Sequence, residues 1–201
     1  MKLIYQGAEA RLLETEYLGK KCIVKEREAK GYRREELDRE IREKRTKDEA
    51  MLMHKARIAG VRTPSIFKVE KKECRITMEF VEGKKLRKAL NKKNVFLCRE
   101  IGRKVALLHN SNLIHGDLTT SNIILEKNGS LCFFDFGLAF VSEKIEDKAV
   151  DLLVFKKTFN ATHFELKKEW ELIVQGYERT CSKGKKAVEH IKEIEQRIRY
   201  H

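Results

Sequence analysis

The sequence has one proline, no CxxC spacing among its five cysteines and no stretch of low complexity. With so little proline there is no stiff spacer to mark a domain boundary, and organisation has to be read from periodicity. The odd cysteine count excludes a fully paired disulfide scaffold, and the spacing excludes the common zinc patterns. Cys22, Cys74, Cys98, Cys132 and Cys181 mostly sit in apolar runs, so reduced, buried thiols are expected. No apolar run approaches the roughly 20 residues of a membrane helix. The opening MKLIYQGAEA shows neither an extended apolar region nor a small-residue cleavage pattern, and a cytoplasmic location is expected.

What the chain does have is charge. Lys and Arg total 44 against 31 Asp and Glu, a net charge of +13, and charged residues make up 37% of the sequence. Such an excess attracts polyanions, nucleic acid or an acidic protein. The same mixture of signs also suits a well-solvated, heat-adapted surface. With 41% hydrophobic residues in 201, real cores can be buried.

Two regions emerge from the periodicity. Residues 3–25 are strand-like, with a hairpin expected around Gly19 and Lys20. Residues 33–58 are helix-prone, with Met51, Leu52, Ala56 and Ile58 as the apolar side and Gly60 as the stop. TPSIFKVEKKECRITMEFVEG reads as further strands. After Gly83, which frees the backbone, the sequence is mainly helical, broken by a hairpin through NIIL, EKNG and LCFFD. Two helices of mixed charge are expected to fill most of the chain beyond Gly137. The first should lie within SEKIEDKAVDLLVF, with Ser142 as its cap.

LIHGDLTTSN, residues 113–122, places Asp117 and Asn122 five residues apart, and CFFDFGLAF adds Asp135. Asp117 suits a group that accepts or orients the proton of an attacking hydroxyl or water. Asn122 and Asp135 offer hard oxygen ligands for magnesium. His115 reads as a structural histidine. Upstream, Lys25 ends the apolar run Cys22–Val24 and can reach the α and β phosphates of ATP, with Glu49 as its acidic partner. Glu49 could instead belong to an ordinary helix-surface pair. Gly7, Ala8 and Ala10 in YQGAEA let backbone N–H groups approach phosphates, although a three-glycine loop is missing. MEFVEG reads as the strand between lobes, where Met78 and the main chain of Glu79 and Val81 would meet adenine. Asp151 is expected to accept hydrogen bonds from the 115–117 loop, or else to be a solvated helix residue. Sheet first, helical half second, and motifs in this order define an α+β, reduced bilobal protein-kinase-like fold. Its lobes are expected at 1–82 and 83–201.

YQGAEA, IVKEREAKGYRREELDREIREKRTKDEA, GVRTP, HGDLTTSN and FFDFGLA together resemble the PRPK family, the small atypical kinase subunit of the KEOPS complex, over nearly the whole chain. The resemblance implies a cut-down kinase fold using ATP and magnesium, ATP hydrolysis, and phosphorylation of Ser/Thr hydroxyls including its own. It implies a role in making threonylcarbamoyladenosine on transfer RNA, with a companion transferase subunit and a small regulatory subunit on the N-terminal lobe. The family's functional positions fall on Lys25, Glu49, Asp117, Asn122 and Asp135. Lys183, Lys185, Lys186, Lys192, Arg197 and Arg199 are candidate RNA contacts, but the closing IEQRIRYH lacks the longer basic cluster of family tails. Two alternatives stand beside this. HGDL also occurs in small-molecule phosphotransferases, and the positive charge alone would suit a catalytically inert RNA- or partner-binding module.

Overall fold

A computed structural model describes residues 1–199, with side chains described through Arg197. Strands β1 (Lys2–Gln6), β2 (Ala10–Tyr17), β3 (Lys20–Arg27), β4 (Ile66–Glu70) and β5 (Arg75–Glu79) form an antiparallel sheet in the order β1-β2-β3-β5-β4. Leu18 and Gly19 turn the β2–β3 hairpin with φ of 50° and 70°, the two positive values a tight hairpin turn needs. Alternation along β3 puts Cys22, Val24 and Glu26 on one face and Ile23, Lys25 and Arg27 on the other.

Helix α1 (Glu35–Ile58) has Glu35, Glu36 and Asp38 in its first turn and Lys55 and Arg57 in its last, each sign at the favourable end of the dipole. It stops at Gly60, whose N–H donates to Arg57 O while Val61 N–H donates to Ala56 O, both at 3.0 Å. Its buried stripe runs through Thr46, Glu49, Ala50, Leu52, Met53 and Ala56. The expected apolar side needs correction: Met51 is 42% exposed and Ile58 74%. Met53, three residues from both Ala50 and Ala56, takes the inward position instead.

The second half contains β6 (Gly83–Lys85), α2 (Leu86–Ala89), α3 (Phe96–Asn110), β7 (Leu113–Ile114), β8 (Ile123–Glu126), β9 (Leu131–Phe133) and β10 (Phe140–Val141). It ends in α4 (Ile145–Thr162), α5 (Trp170–Thr180) and α6 (Gly184–Arg199). β6, β8 and β9 make a three-stranded sheet, and β7 pairs with β10. Gly83 lies inside β6, where a Cβ would stand 2.4 Å from Leu125 O. Glycine is required there by strand proximity and not as a loose joint. Among the described residues three α-helices, not two, follow Gly137: His163 leaves the helical region (φ −119°, ψ 55°), and a 3-10 turn over Phe164–Glu169 separates α4 from α5. Ser142 is not the cap of α4. That position is Lys144, which makes no side-chain cap bond, while Ser142 Oγ accepts the Lys144 N–H at 3.1 Å and donates to Asp147.

A single core runs from Met53 of α1 and Ile76 of β5 through Ile101 and Val105 of α3 to Phe155, Phe159 and Tyr177. Trp170 meets Phe155 edge-on at 5.6 Å and Phe159 at 6.1 Å, which fastens α5 to α4. Each such ring contributes about 1.5–3 kcal/mol by burial. α3 and α5 cross at backbone contact. A Cβ on Gly102 would collide with Ile173 O at 1.9 Å, and one on Gly176 with Arg99 O at 2.1 Å. All five cysteines are buried free thiols, and burial pushes Cys98 and Cys132 up to about 12, so neither is a ready nucleophile. Among the described residues no helix is long and apolar enough to cross a membrane.

Candidate active site

Lys25 and Arg27 share the face of β3 that looks at α1, because residues two apart on a strand point the same way. Glu49, in the buried stripe of α1, receives both cations. Lys25 Nζ donates to its Oε1 at 2.6 Å and Arg27 Nη2 to its Oε2 at 2.6 Å. Lys25 Nζ also donates to Asp135 Oδ1 at 2.8 Å, joining segments 110 residues apart. Burial works against charge on Lys25, but Glu49 and Asp135 outweigh it and hold its pKa above the ordinary value. Asp135 shows the reciprocal effect. Its partial burial works upward, yet Lys25 brings the carboxyl below its usual range.

Asp135 sits at φ 64°, a left-handed conformation that costs an L-residue energy and that the surroundings must hold in place. Its side chain is 46% exposed, so the carboxylate remains open to the cleft. Immediately before it, Phe134 N–H donates to Asn122 O at 3.0 Å. That bond sets Asp135 beside the 113–122 loop. There Asn122 Nδ2 donates to Asp117 Oδ2 at 2.8 Å and to Asp117 O at 2.9 Å. Asp117 and Asn122 are thereby fixed to one another, and the amide oxygen of Asn122 takes part in neither bond. These oxygens are few, hard and partly open, a donor set that fits a magnesium ion completing its shell with phosphate and water.

The loop itself is held from behind by Asp151 of α4. Its carboxylate accepts the N–H of His115 at 3.1 Å and of Gly116 at 2.9 Å. His109 Nε2 bonds to the same carboxylate at 3.1 Å, and His109 Nδ1 meets Tyr177 Oη at 2.8 Å. Burial works against the Asp151 carboxylate, but the His109 hydrogen bond outweighs it, so the pKa lies below the ordinary value. Gly116 has φ 77°, and a Cβ there would stand 2.3 Å from Leu138 O, so only glycine lets the loop pass. His115 is fully buried, tilted against Phe136 with ring centroids 4.6 Å apart. Burial lowers its pKa and keeps it neutral. It packs the loop.

The remaining residues singled out in the sequence fall as follows. Gly7 N–H donates to Ala10 O at 2.9 Å, closing a tight β1–β2 turn through Ala8, whose carbonyl accepts from Lys30 Nζ. Met78 is buried in β5, with Val81 half-buried just beyond. The carboxylate of Glu79 is gripped by Arg62 at 2.6 and 2.9 Å and by the Ser65 N–H at 2.9 Å, and its own N–H donates to Ser65 O at 2.8 Å. Lys183, Lys185, Lys186, Lys192 and Arg197 are exposed. Of these Lys183 precedes α6, and Arg197 is drawn to Glu146 at 3.3 Å. α6 packs on α4 and α5. The Arg199 side chain lies outside the described residues.

Arg27 was missed in the sequence, where one more cation in EREAKGYRR carries no motif. The usable signal was its spacing of two from Lys25. Glu9 was missed as well: from the tip of the β1–β2 turn it reaches Arg45 of α1 at 2.7 Å and Arg27 at 3.8 Å. Arg27→Met should leave Glu49 buried with one partner, costing about 3 kcal/mol of stability. With Glu49 free to shift, ATP turnover should drop by roughly 10²-fold, and Arg27→Lys should restore most of it. Thermal melts and steady-state turnover check this; native values for Arg27→Met would make Arg27 dispensable.

This sheet-plus-helix unit above a mainly helical half, with its lysine–glutamate pair and its two acidic loops, is the architecture of a protein kinase. A family model described as protein kinase domain matches residues 12–164. The solved Rio2 kinase from Chaetomium thermophilum, in complex with ADP, magnesium and phosphoaspartate, superposes with a TM-score of 0.69 over 98% of this chain and 70% of its own, at 14% identity. The chain is 41% identical to the KEOPS complex subunit Bud32 of Pyrococcus abyssi, covering 100% of this chain and 96% of that one. It is 39% identical to the EKC/KEOPS complex subunit bud32 of Dictyostelium discoideum, over 98% and 82%. The chain belongs to the Bud32 family of protein kinases. It is also 41% identical to a probable bifunctional tRNA threonylcarbamoyladenosine biosynthesis protein of Methanothermobacter thermautotrophicus, but spans only 36% of that longer protein.

Proposed function

We propose that the chain is the kinase subunit of a KEOPS complex and that it hydrolyses Mg-ATP in support of threonylcarbamoyladenosine formation on transfer RNA. The observation that carries this is Lys25 bridging Glu49 and Asp135 beside the paired Asp117 and Asn122. Residues 1–82 form the upper lobe and 83–201 the lower, with adenine read by the backbone of Glu79 and Val81 beside Met78. Gly7, Ala8 and Ala10 cover the phosphates. Asn122 and Asp135 would hold magnesium, which would neutralise charge on the transferred phosphoryl group. Lys25 holds the α and β phosphates, kept in place by Glu49. Asp117 takes the proton of the attacking water as the γ-phosphoryl oxygen bond to ADP breaks, and the proton leaves with inorganic phosphate.

Water is favoured over a peptide hydroxyl by the shortness of the segment after Gly137. Only residues 138–144 precede α4, and Phe140 and Val141 are committed to pairing with Ile114 and Leu113. No extended platform is left there to align a peptide, and alignment supplies much of the rate in such reactions. Ser/Thr phosphorylation, including its own, is therefore a weak side activity. The companions are a transferase subunit, a small regulatory subunit on the upper lobe, and transfer RNA, to which the exposed lysines of α6 contribute. Phosphate release and labelled transfer to protein, measured in one reaction with and without the transferase subunit and transfer RNA, should show slow hydrolysis that both additions raise. Transfer to one defined protein that far outpaces a hydrolysis indifferent to partner and RNA would make this a true protein kinase.

A further inference from the structure

A cavity of about 680 Å³ opens between the first half of α3, the second half of α5 and the β8–β9 turn, and it meets the site above only through Arg62, which grips Glu79. The close crossing of α3 and α5 borders it at Gly176, where a Cβ would meet Arg99 O. Its lining contains five cationic residues, Arg62, Arg99, Arg103, Lys104 and Arg179, and one carboxylate, Glu100. Arg62 is already neutralised by Glu79 and Glu126, and Glu100 pairs with Arg103 at 2.6 Å. Arg99 reaches only the neutral Gln175, at 3.3 Å. Among the described residues Arg179 has no ion-pair partner. Burial, and after it the neighbouring Arg103, hold Lys104 below its ordinary pKa, although Glu100 lies 3.7 Å from its ammonium and pulls the other way.

The rim carries a second feature. Phe96, the first residue of α3, is 69% exposed, and it follows the exposed Lys92 and Lys93. An apolar protein partner would have to bury Arg99 and Arg179 without a carboxylate partner, a costly step. An acidic peptide would answer the charge and leave the ring unused. Unpaired RNA answers both, because its phosphates take forked bonds from arginine and its bases stack on aromatic faces. We propose that this trough is an RNA-binding surface, in which Arg99, Arg103 and Arg179 hold backbone phosphates of an unpaired segment and Phe96 stacks on one of its bases. It rests on the transfer RNA reading above and adds a location separate from α6.

The test titrates labelled transfer RNA and a labelled single-stranded oligonucleotide against the full chain at about 50 and about 200 mM salt, a range over which phosphate contacts dominate affinity. Arg99→Glu with Arg179→Glu should weaken binding more than tenfold and flatten the salt dependence. Phe96→Ala should weaken it by about tenfold without changing that slope, as expected for one lost stacking contact. ATP turnover without RNA should be unaltered in all of them. Native affinity in these variants, with binding abolished by Lys185→Glu and Lys186→Glu, would place RNA on α6 and overturn the trough. Losses that follow charge alone, with Phe96→Ala silent, would overturn it as well, by showing diffuse attraction. Polyglutamate binding in the trough without RNA binding would point to an acidic protein instead. If neither the chain nor its assembled complex binds RNA, the transfer RNA reading itself fails, an outcome distinct from undiminished binding in the trough variants.

Discussion

Asp135→Ala is expected to give a folded protein whose magnesium-dependent ATP turnover is reduced by roughly 10³-fold, the scale set by removing one preorganised electrostatic group from a reacting centre. Among the described residues the carboxylate makes one side-chain ion pair, with Lys25, and its side chain is 46% exposed, so little packing depends on it. Alanine at φ 64° retains the backbone strain and loses the ion pair, a modest cost for the fold. For chemistry the loss is larger. Lys25 would collapse onto Glu49 alone, and the cleft would lose the one carboxylate that both faces solvent and touches the lysine. Raising magnesium should not rescue the variant, since the amide of Asn122 is neutral and already bonded to Asp117. Lys25→Ala should fall in the same direction. A melting curve close to the native one, combined with turnover across a magnesium series, makes the measurement. Native turnover in a folded Asp135→Ala protein would remove Asp135 from the reaction.

How much of this was legible in the sequence follows from the range of each signal. Local patterns read well. The β2–β3 hairpin announces itself by Gly19, although the turn residues are Leu18 and Gly19 and the expected Lys20 already opens β3; the end of α1 announces itself by Gly60, and both glycines hold backbone conformations that glycine favours. Glu49 could be chosen among many acidic residues of α1 since it stands where charged surface gives way to apolar stripe, and it lies 2.6 Å from Lys25. Asp151 was visible as a carboxylate among apolar neighbours, and it bonds the N–H groups of His115 and Gly116. What depends on the packing angle of one element against another was not legible. Met51 and Ile58 look as apolar as Met53, and only the direction of the sheet from α1 tells which is covered. Arg27 and Glu9 are ordinary charges until α1 brings Glu49 and Arg45 to them. The His109–Tyr177 link spans 68 residues and joins α3 to α5, so no local pattern could announce it.

Asp151→Ala should be the most damaging change outside the cleft. The carboxylate is 1% exposed and serves three donors, the N–H groups of His115 and Gly116 and the Nε2 of His109. Removing it strands the buried His115 and His109 donors and the partly buried Gly116 N–H, and breaking a buried network of this kind costs about 3–5 kcal/mol. At roughly 2–4 °C per kcal/mol for a chain of this size, the melting temperature should fall by about ten degrees or more. Catalysis should suffer separately. The two N–H groups belong to the turn that aims Asp117, so the loop loses its fixed position and turnover should drop by roughly 10²-fold even where the variant is folded. Asp151→Asn keeps one acceptor and the side-chain volume, and it should lie between the two in both stability and rate. Acid titration supplies an independent readout. The carboxyl of Asp151 is held below the ordinary 3.8, so on acidification the unfolded chain takes up this proton before the native chain does. Its contribution is therefore complete above that pH and is lost as the pH falls through the lower, native value, which means Asp151→Asn should show a shallower acid limb. Melting temperature, turnover and acid limb all unchanged in Asp151→Ala would mean that the 115–117 loop is held by its own packing, with His115 on Phe136 and Gly116 against Leu138, and that Asp151 is a bystander.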